Sequence, residues 1–207
     1  MKTLLCAIAL ALGLAGCSAL PDKPVRETLY DFGPGPAVEG GPPSTSTPLV
    51  VPDVEVSASL EGSSMFYRLG YADPNQLLPY AYARWSAPPG QLVRQRLREV
   101  LGLTRPVLDS AAAGSLARRG GFVPPMLRVE LEEFSQFFDS QAQSRGLIRL
   151  RCTLLESTPA GDRLVAQRSF TVQRPAATAN AAGGVQALTA ATDAAAAEIA
   201  AWLQQIR

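Results

Sequence analysis

The chain contains no histidine. That removes the side chain most often used as a general base, the Ser-His and Cys-His catalytic pairs, and the commonest metal ligand. It also lacks a Gly-x-x-x-x-Gly-Lys-Ser/Thr phosphate loop, a Gly-x-Ser-x-Gly elbow and any Cys-x-x-Cys pair. No catalytic residue, metal or cofactor is therefore expected. Excess charge is missing too: 19 basic against 18 acidic side chains leave no basic footprint for nucleic acid. The N-terminal apolar run, Leu4 to Ala15, is far shorter than the roughly 20 residues that span a bilayer.

That run has the length of a secretory signal core, preceded by Lys2. Its end, Leu14-Ala15-Gly16-Cys17, matches a lipobox: a branched apolar residue, two small residues, then cysteine. Residues 1–16 are expected to be a cleaved lipoprotein signal peptide and Cys17 to carry the lipid. Each buried methylene contributes about 0.8 kcal/mol, so two or three acyl chains anchor a protein stably. Ser18, in place of a retaining aspartate, points to the outer membrane, facing the periplasm. With Cys6 removed and Cys17 lipidated, Cys152 is the remaining thiol, so no intramolecular disulfide is expected. It lies in an alternating apolar stretch and reads as a small buried hydrophobe.

Residues 17–48 read as a tether rich in Pro and Gly, with Gly33-Pro34-Gly35-Pro36 and Gly40-Gly41-Pro42-Pro43 barring regular structure. Within it, Thr28 to Phe32 is more apolar and suits an edge strand. A single folded domain is expected over residues 49–207. Strand patterns fall at Val50–Ala58, Met65–Leu69, Gln76–Trp85, Pro106–Asp109, Met126–Phe134, Leu147–Leu155 and Arg163–Val172. Turns are expected at Arg145-Gly146 and Ala160-Gly161-Asp162. Pro88-Pro89 introduces a helix from Gly90 to Leu101. A second, alanine-rich helix follows Gly183-Gly184; Val185, Leu188, Thr192, Ala195, Ile199, Trp202 and Ile206 make a stripe that suits a sheet cover or a coiled-coil dimer. The expected architecture is α/β (α+β): a mainly antiparallel sheet covered by two helices. Glu130, Glu132 and Glu133 could form a glycosidase-type carboxylate pair, but alternation with Leu127, Val129 and Leu131 suits a solvated strand face.

Tyr30-Asp31-Phe32-Gly33-Pro34, Met65-Phe66-Tyr67-Arg68-Leu69, Tyr80 through Ala83-Arg84-Trp85, Pro88-Pro89 and Leu92-Val93-Arg94-Gln95-Arg96-Leu97 occur in this order behind the lipobox. Together they resemble the ABC-type transport auxiliary lipoprotein family, whose members include paraquat-inducible protein C-like lipoproteins. The resemblance implies a fold similar to the N-terminal domain of TolB-like proteins. It also implies a non-catalytic component of an MCE-type ABC lipid transport system that docks the periplasmic lipid-carrying MCE-domain protein.

Aromatic and arginine side chains are enriched at interface hot spots. Tyr80, Tyr82 and Trp85 are thus candidates for a docking surface, although Trp85 would serve equally as a core anchor at the start of the helix. Arg84, Arg94 and Arg98 could meet phospholipid headgroups or an acidic partner, or form a solvated face. Phe134, Phe137 and Phe138 suit either a lipid-accessible groove or the closed end of a core. Two other functions fit a tethered domain: an activator of a cell-wall synthase, and a lipid-binding carrier with an apolar cavity. A homo-oligomer fits any of them.

Overall fold

The structure, a computed structural model, describes residues 26–35, 46–120 and 122–206. The expected signal peptide, Cys17 and the remainder of the tether lie outside the described residues. In chain order come β1 (Thr28–Tyr30), β2 (Leu49–Val50), β3 (Glu55–Val56), β4 (Ser64–Leu69) and β5 (Asp73–Trp85). They are followed by α1 (Pro89–Gly102), β6 (Val107–Leu108), α2 (Ser110–Gly120), β7 (Met126–Phe138), β8 (Ser144–Thr158), β9 (Gly161–Pro175) and α3 (Ala181–Gln205). All nine strands join one sheet.

β7 is the strand on which the sheet is built. One of its edges pairs antiparallel with β8 from Met126↔Leu155 to Phe138↔Ser144, and β8 pairs in turn with β9. The other edge is divided among three short parallel strands: β2 at Met126, β3 at Glu130 and Leu131, β4 at Gln136 to Phe138. β6 extends the sheet beyond β2, and β5 and β1 extend it beyond β4. Five of these eight pairings are parallel, which corrects the expectation of a mainly antiparallel sheet. The reason is physical: strands of two or three residues carry no alternation that reveals a partner, and only the long hairpins announce themselves.

Alternation does place the long strands. Ile148, Leu150, Cys152 and Leu154 of β8 are buried, while Arg149 and Arg151 face solvent. The β8–β9 turn closes at Gly161, whose φ of 113° favours glycine. The β7–β8 turn, however, lies at Asp139–Gln143, where the Asp139 N–H donates to the Gln143 carbonyl at 2.9 Å. Arg145-Gly146, expected to be a turn, is inside β8. Glycine is needed there for a different reason: a Cβ at 146 would lie 2.5 Å from the Leu188 backbone nitrogen, so α3 packs on bare main chain.

Helix α3 is the sheet cover. Asn180 caps it, its Oδ1 accepting from the Gly183 N–H at 3.0 Å, so the helix begins ahead of the two glycines. Val185, Leu188, Thr192, Ala195, Ile199 and Trp202 are all buried against β8, β9 and α1. Trp202 meets Phe170 of β9 edge-on, with ring centroids 5.7 Å apart. Helix α1 starts on Pro89, whose missing N–H has no partner to lose in a first turn. It buries Leu92, Val93, Leu97 and Leu101. The third helix, α2, corrects the expected two. Its run of alanine, serine and glycine contains Leu116 as its one large apolar side chain; Asp109 starts it by accepting from the Ala112 N–H at 2.7 Å.

Two outcomes follow from this packing. Gly146→Val should destabilise the fold by about 1–3 kcal/mol in denaturant unfolding, because the obstruction is backbone that no rotamer change clears. Cys152 is inaccessible, and burial pushes its thiol up to about 12. Alkylation followed by mass spectrometry should leave it unmodified in the native protein and label it fully in denaturant.

Candidate functional site

The segment expected to be mostly tether enters the fold at Thr28. β1 pairs in parallel with the last residues of β5, Thr28↔Ala83 to Tyr30↔Trp85. The folded body thus extends N-terminal to the boundary expected at Leu49. Each residue of Tyr30-Asp31-Phe32-Gly33 then has a local task. The Tyr30 carbonyl accepts from the Ser86 N–H at 2.7 Å. Asp31 Oδ1 accepts from the Gly33 N–H at 2.7 Å, closing an Asx turn, and Gly33 takes a φ of 64°. The turn drives Phe32 into the core, where its ring lies 5.6 Å from Trp85 and 6.0 Å from Phe134.

The same turn presents two carbonyls to Arg96, a residue of α1 that is only 4% exposed. Arg96 Nη2 donates to the carbonyls of Phe32 at 2.9 Å and Gly33 at 3.2 Å. Its Nη1 reaches Asp193 of α3 at 2.8 Å and its Nε lies 3.2 Å from Glu99. The guanidinium also stands 5.9 Å from the Phe32 ring centroid. Burial raises the Asp193 pKa above the usual carboxylate value, Glu99 adding to the rise and Arg96 opposing it. One buried cation therefore joins the incoming chain, α1 and α3. An open groove of about 590 Å³ runs beside this junction, lined by Tyr30, Phe32 and Gly33 on one side and Val185, Thr189 and Asp193 on the other.

The six candidate partner-binding residues are not brought together. Trp85 is 1% exposed, stacked with Phe32 and Phe134 in the core. Tyr80 is half-buried and donates to Gln136 Oε1 at 2.8 Å; burial raises its pKa, with a smaller contribution from Tyr67. Arg84 holds down an irregular stretch of β5 by donating to the carbonyls of Tyr80 and Ala83, and pairs with Glu27 at 3.2 Å. Tyr82 is 56% exposed and lies on the face of β5 opposite Ala83 and Trp85. Arg94 pairs with Asp53 on the rim of a separate groove, and Arg98 is half-buried one turn further along α1.

The remaining candidates separate likewise. Phe134 and Phe138 face the core, whereas Phe137 lies on the other face beneath Arg145, so the three line no common groove. Glu132 pairs with Arg149 and Arg151, and the largely buried Glu133 with Arg68, so these two carboxylates are taken up in ion pairs along the strands. Arg96 and Asp193 were not singled out in the sequence. The available signal is a charged residue at 96 between apolar positions 93, 97 and 100 of one helical stripe.

Arg96→Met keeps the length and apolar stem of the side chain but leaves the Phe32 and Gly33 carbonyls and the Asp193 carboxylate without their donor, and Glu99 without its cation. Stability should fall by about 2–3 kcal/mol. Amide exchange should accelerate at residues 28–33 more than in β8.

Two solved structures share this fold. One is a protein of Xanthomonas campestris, with a TM-score of 0.68 and 21% identity over 85% of this chain and 94% of its own. The other, an uncharacterized protein, has a TM-score of 0.62 and 17% identity over 86% of this chain and 99% of its own. At such identities the likeness shows the fold alone. No curated protein matches the sequence. A sequence model of one family spans residues 30–200, from the last residue of β1 well into α3, and by that match the chain belongs to the ABC-type transport auxiliary lipoprotein component family.

Proposed function

We propose that this auxiliary lipoprotein serves an MCE-type ABC lipid transport system, lipidated at Cys17 and held in the outer membrane facing the periplasm. In this reading it performs no chemistry and docks the periplasmic MCE-domain subunit that carries the lipid. The observation that carries the reading is the family match over residues 30–200, which starts 13 residues after a lipobox cysteine. Ser18 favours outer-membrane delivery. A carrier role has less support, because the grooves beside β1 and α1 are open rather than enclosed.

Docking is assigned to the polar side of α1, where Arg94 lines a groove of about 460 Å³ together with Val54, Val56 and Glu61, and Arg98 follows one turn along the helix. Trp85 and Tyr80 act indirectly, by fixing the strands below. The Arg94–Asp53 pair is an exposed one, so reversing Arg94 should change stability by less than about 1 kcal/mol.

Crosslinking in intact cells, followed by affinity purification and mass spectrometry, tests the proposal. An MCE-domain protein should be recovered, and Arg94→Glu should lower its yield roughly tenfold, the effect of losing about 1.4 kcal/mol of binding. Recovery of a cell-wall synthase without any MCE-domain protein would transfer the function to wall synthesis. Stoichiometric phospholipid in the purified chain would favour the carrier.

A further inference from the structure

We infer that the outer face of the β1–β5 wing, centred on Leu29 and Tyr82, rests on the bilayer surface. This rests on the lipid anchor at Cys17 proposed above. Leu29 pairs directly with Arg84, and Tyr82 lies two residues before Arg84 on the same strand. Ala83 and Trp85 are buried while Tyr82 is exposed, and Leu29, also exposed, lies in register beside Arg84. Leu29 is 66% exposed and Tyr82 56% exposed, a leucine and a tyrosine offered together to whatever lies outside.

The covalent chain decides what that is. Arg26, where the described fold begins, lies nine residue steps along the chain from Cys17, with eight residues between them. Even fully extended they reach about 30 Å. A domain of this length has a radius of gyration of about 16 Å, so the wing at which the chain enters cannot be placed on the far side of the body from the membrane. The first large apolar side chain of the fold is Leu29, three residues after that entry point. Its neighbour Tyr82 suits the water–lipid boundary, since the phenol joins an apolar ring to a polar tip, while the charge of Arg84 is already held by Glu27 and the Tyr80 and Ala83 carbonyls. No helix of the described residues is long and apolar enough to cross a membrane. Contact with the bilayer would accordingly be superficial, with the acyl chains supplying the anchorage and the wing fixing the orientation.

The test uses the full lipidated protein in vesicles of phosphatidylethanolamine and phosphatidylglycerol, part of the lipid being brominated high on the acyl chain. Tyr82→Trp places a reporter on the wing, and Leu164→Trp, on the exposed part of β9, serves as the distant control. Trp85 and Trp202 are buried and supply the background, read from the unsubstituted chain. Bromolipid should remove at least half of the emission specific to position 82 and leave that at 164 unchanged. Adding Leu29→Asp should restore much of the emission at 82. A chain that floats with the vesicles while position 82 is unquenched, or is quenched no more than 164, overturns the orientation and leaves the anchor standing. Failure to float removes the anchor itself, and the orientation with it. Shielding of position 82 from both bromolipid and aqueous acrylamide would assign this face to a second copy or a protein partner and overturn the proposal.

Discussion

A single buried guanidinium holds the N-terminal part of this molecule together. Removing an arginine from water costs several kcal/mol, and only close partners offset it. Arg96 has them: two carbonyls from the incoming chain and two carboxylates, one on its own helix and one on α3. Apolar residues of the same volume would fill the space equally well but could not distinguish one backbone path from another. The carbonyls of Phe32 and Gly33 point at Arg96 only if the Asx turn forms, and the turn forms only if β1 lies in register with β5. The charge thus specifies a path as much as it stabilises one. The stretch matched by the family model begins at Tyr30 and so includes the segment that makes the turn.

β7 has the corresponding role for the sheet. Its β8 edge is satisfied along its whole length by one antiparallel partner, while its other edge is parcelled among strands from three different parts of the chain. None of β2, β3 or β4 could hold such a position alone. β2 and β4 are held by the apolar side chains they add to the core, among them Leu49 and Met65, and Val56 of β3 packs against that core. Parallel partners of this kind require long excursions of the chain, and these excursions contain α1, α2 and the β4–β5 hairpin.

What could be read from the amino acids alone follows the same physics. β8 alternates over enough residues for its faces to be unmistakable, and the α3 stripe names buried side chains at every position but Ile206, which is half-buried beyond the helix end. The Pro88-Pro89 pair marks the start of α1 to within a residue. Parallel pairing was not readable, because β1, β2, β3 and β6 have only two or three residues and so no period, and the pattern of the six-residue β4 does not name its partner. Nor was α2, whose Ser-Ala-Ala-Ala-Gly-Ser opening has no apolar face to recognise. Gly146 was misjudged because glycine marks turns and close packing alike, and only the neighbour, α3, tells them apart. Of the candidate contact residues, aromatic identity alone did not separate the buried Trp85 from the exposed Tyr82. Strand alternation does so once the register is known.

The parallel pairing of β1 with β5 has a mechanical side. In the proposed arrangement, with the lipid on Cys17, a pull on the anchor enters the domain through Arg26, and a pull along the strand axis loads the β1–β5 pairing in shear rather than peeling it residue by residue. Behind them the load meets Phe32, wedged between Trp85 and Phe134, and then the Arg96 clasp. The short strand is a strain relief, like the knot behind the plug of a cable, which keeps tension in the leash from reaching the long hairpins.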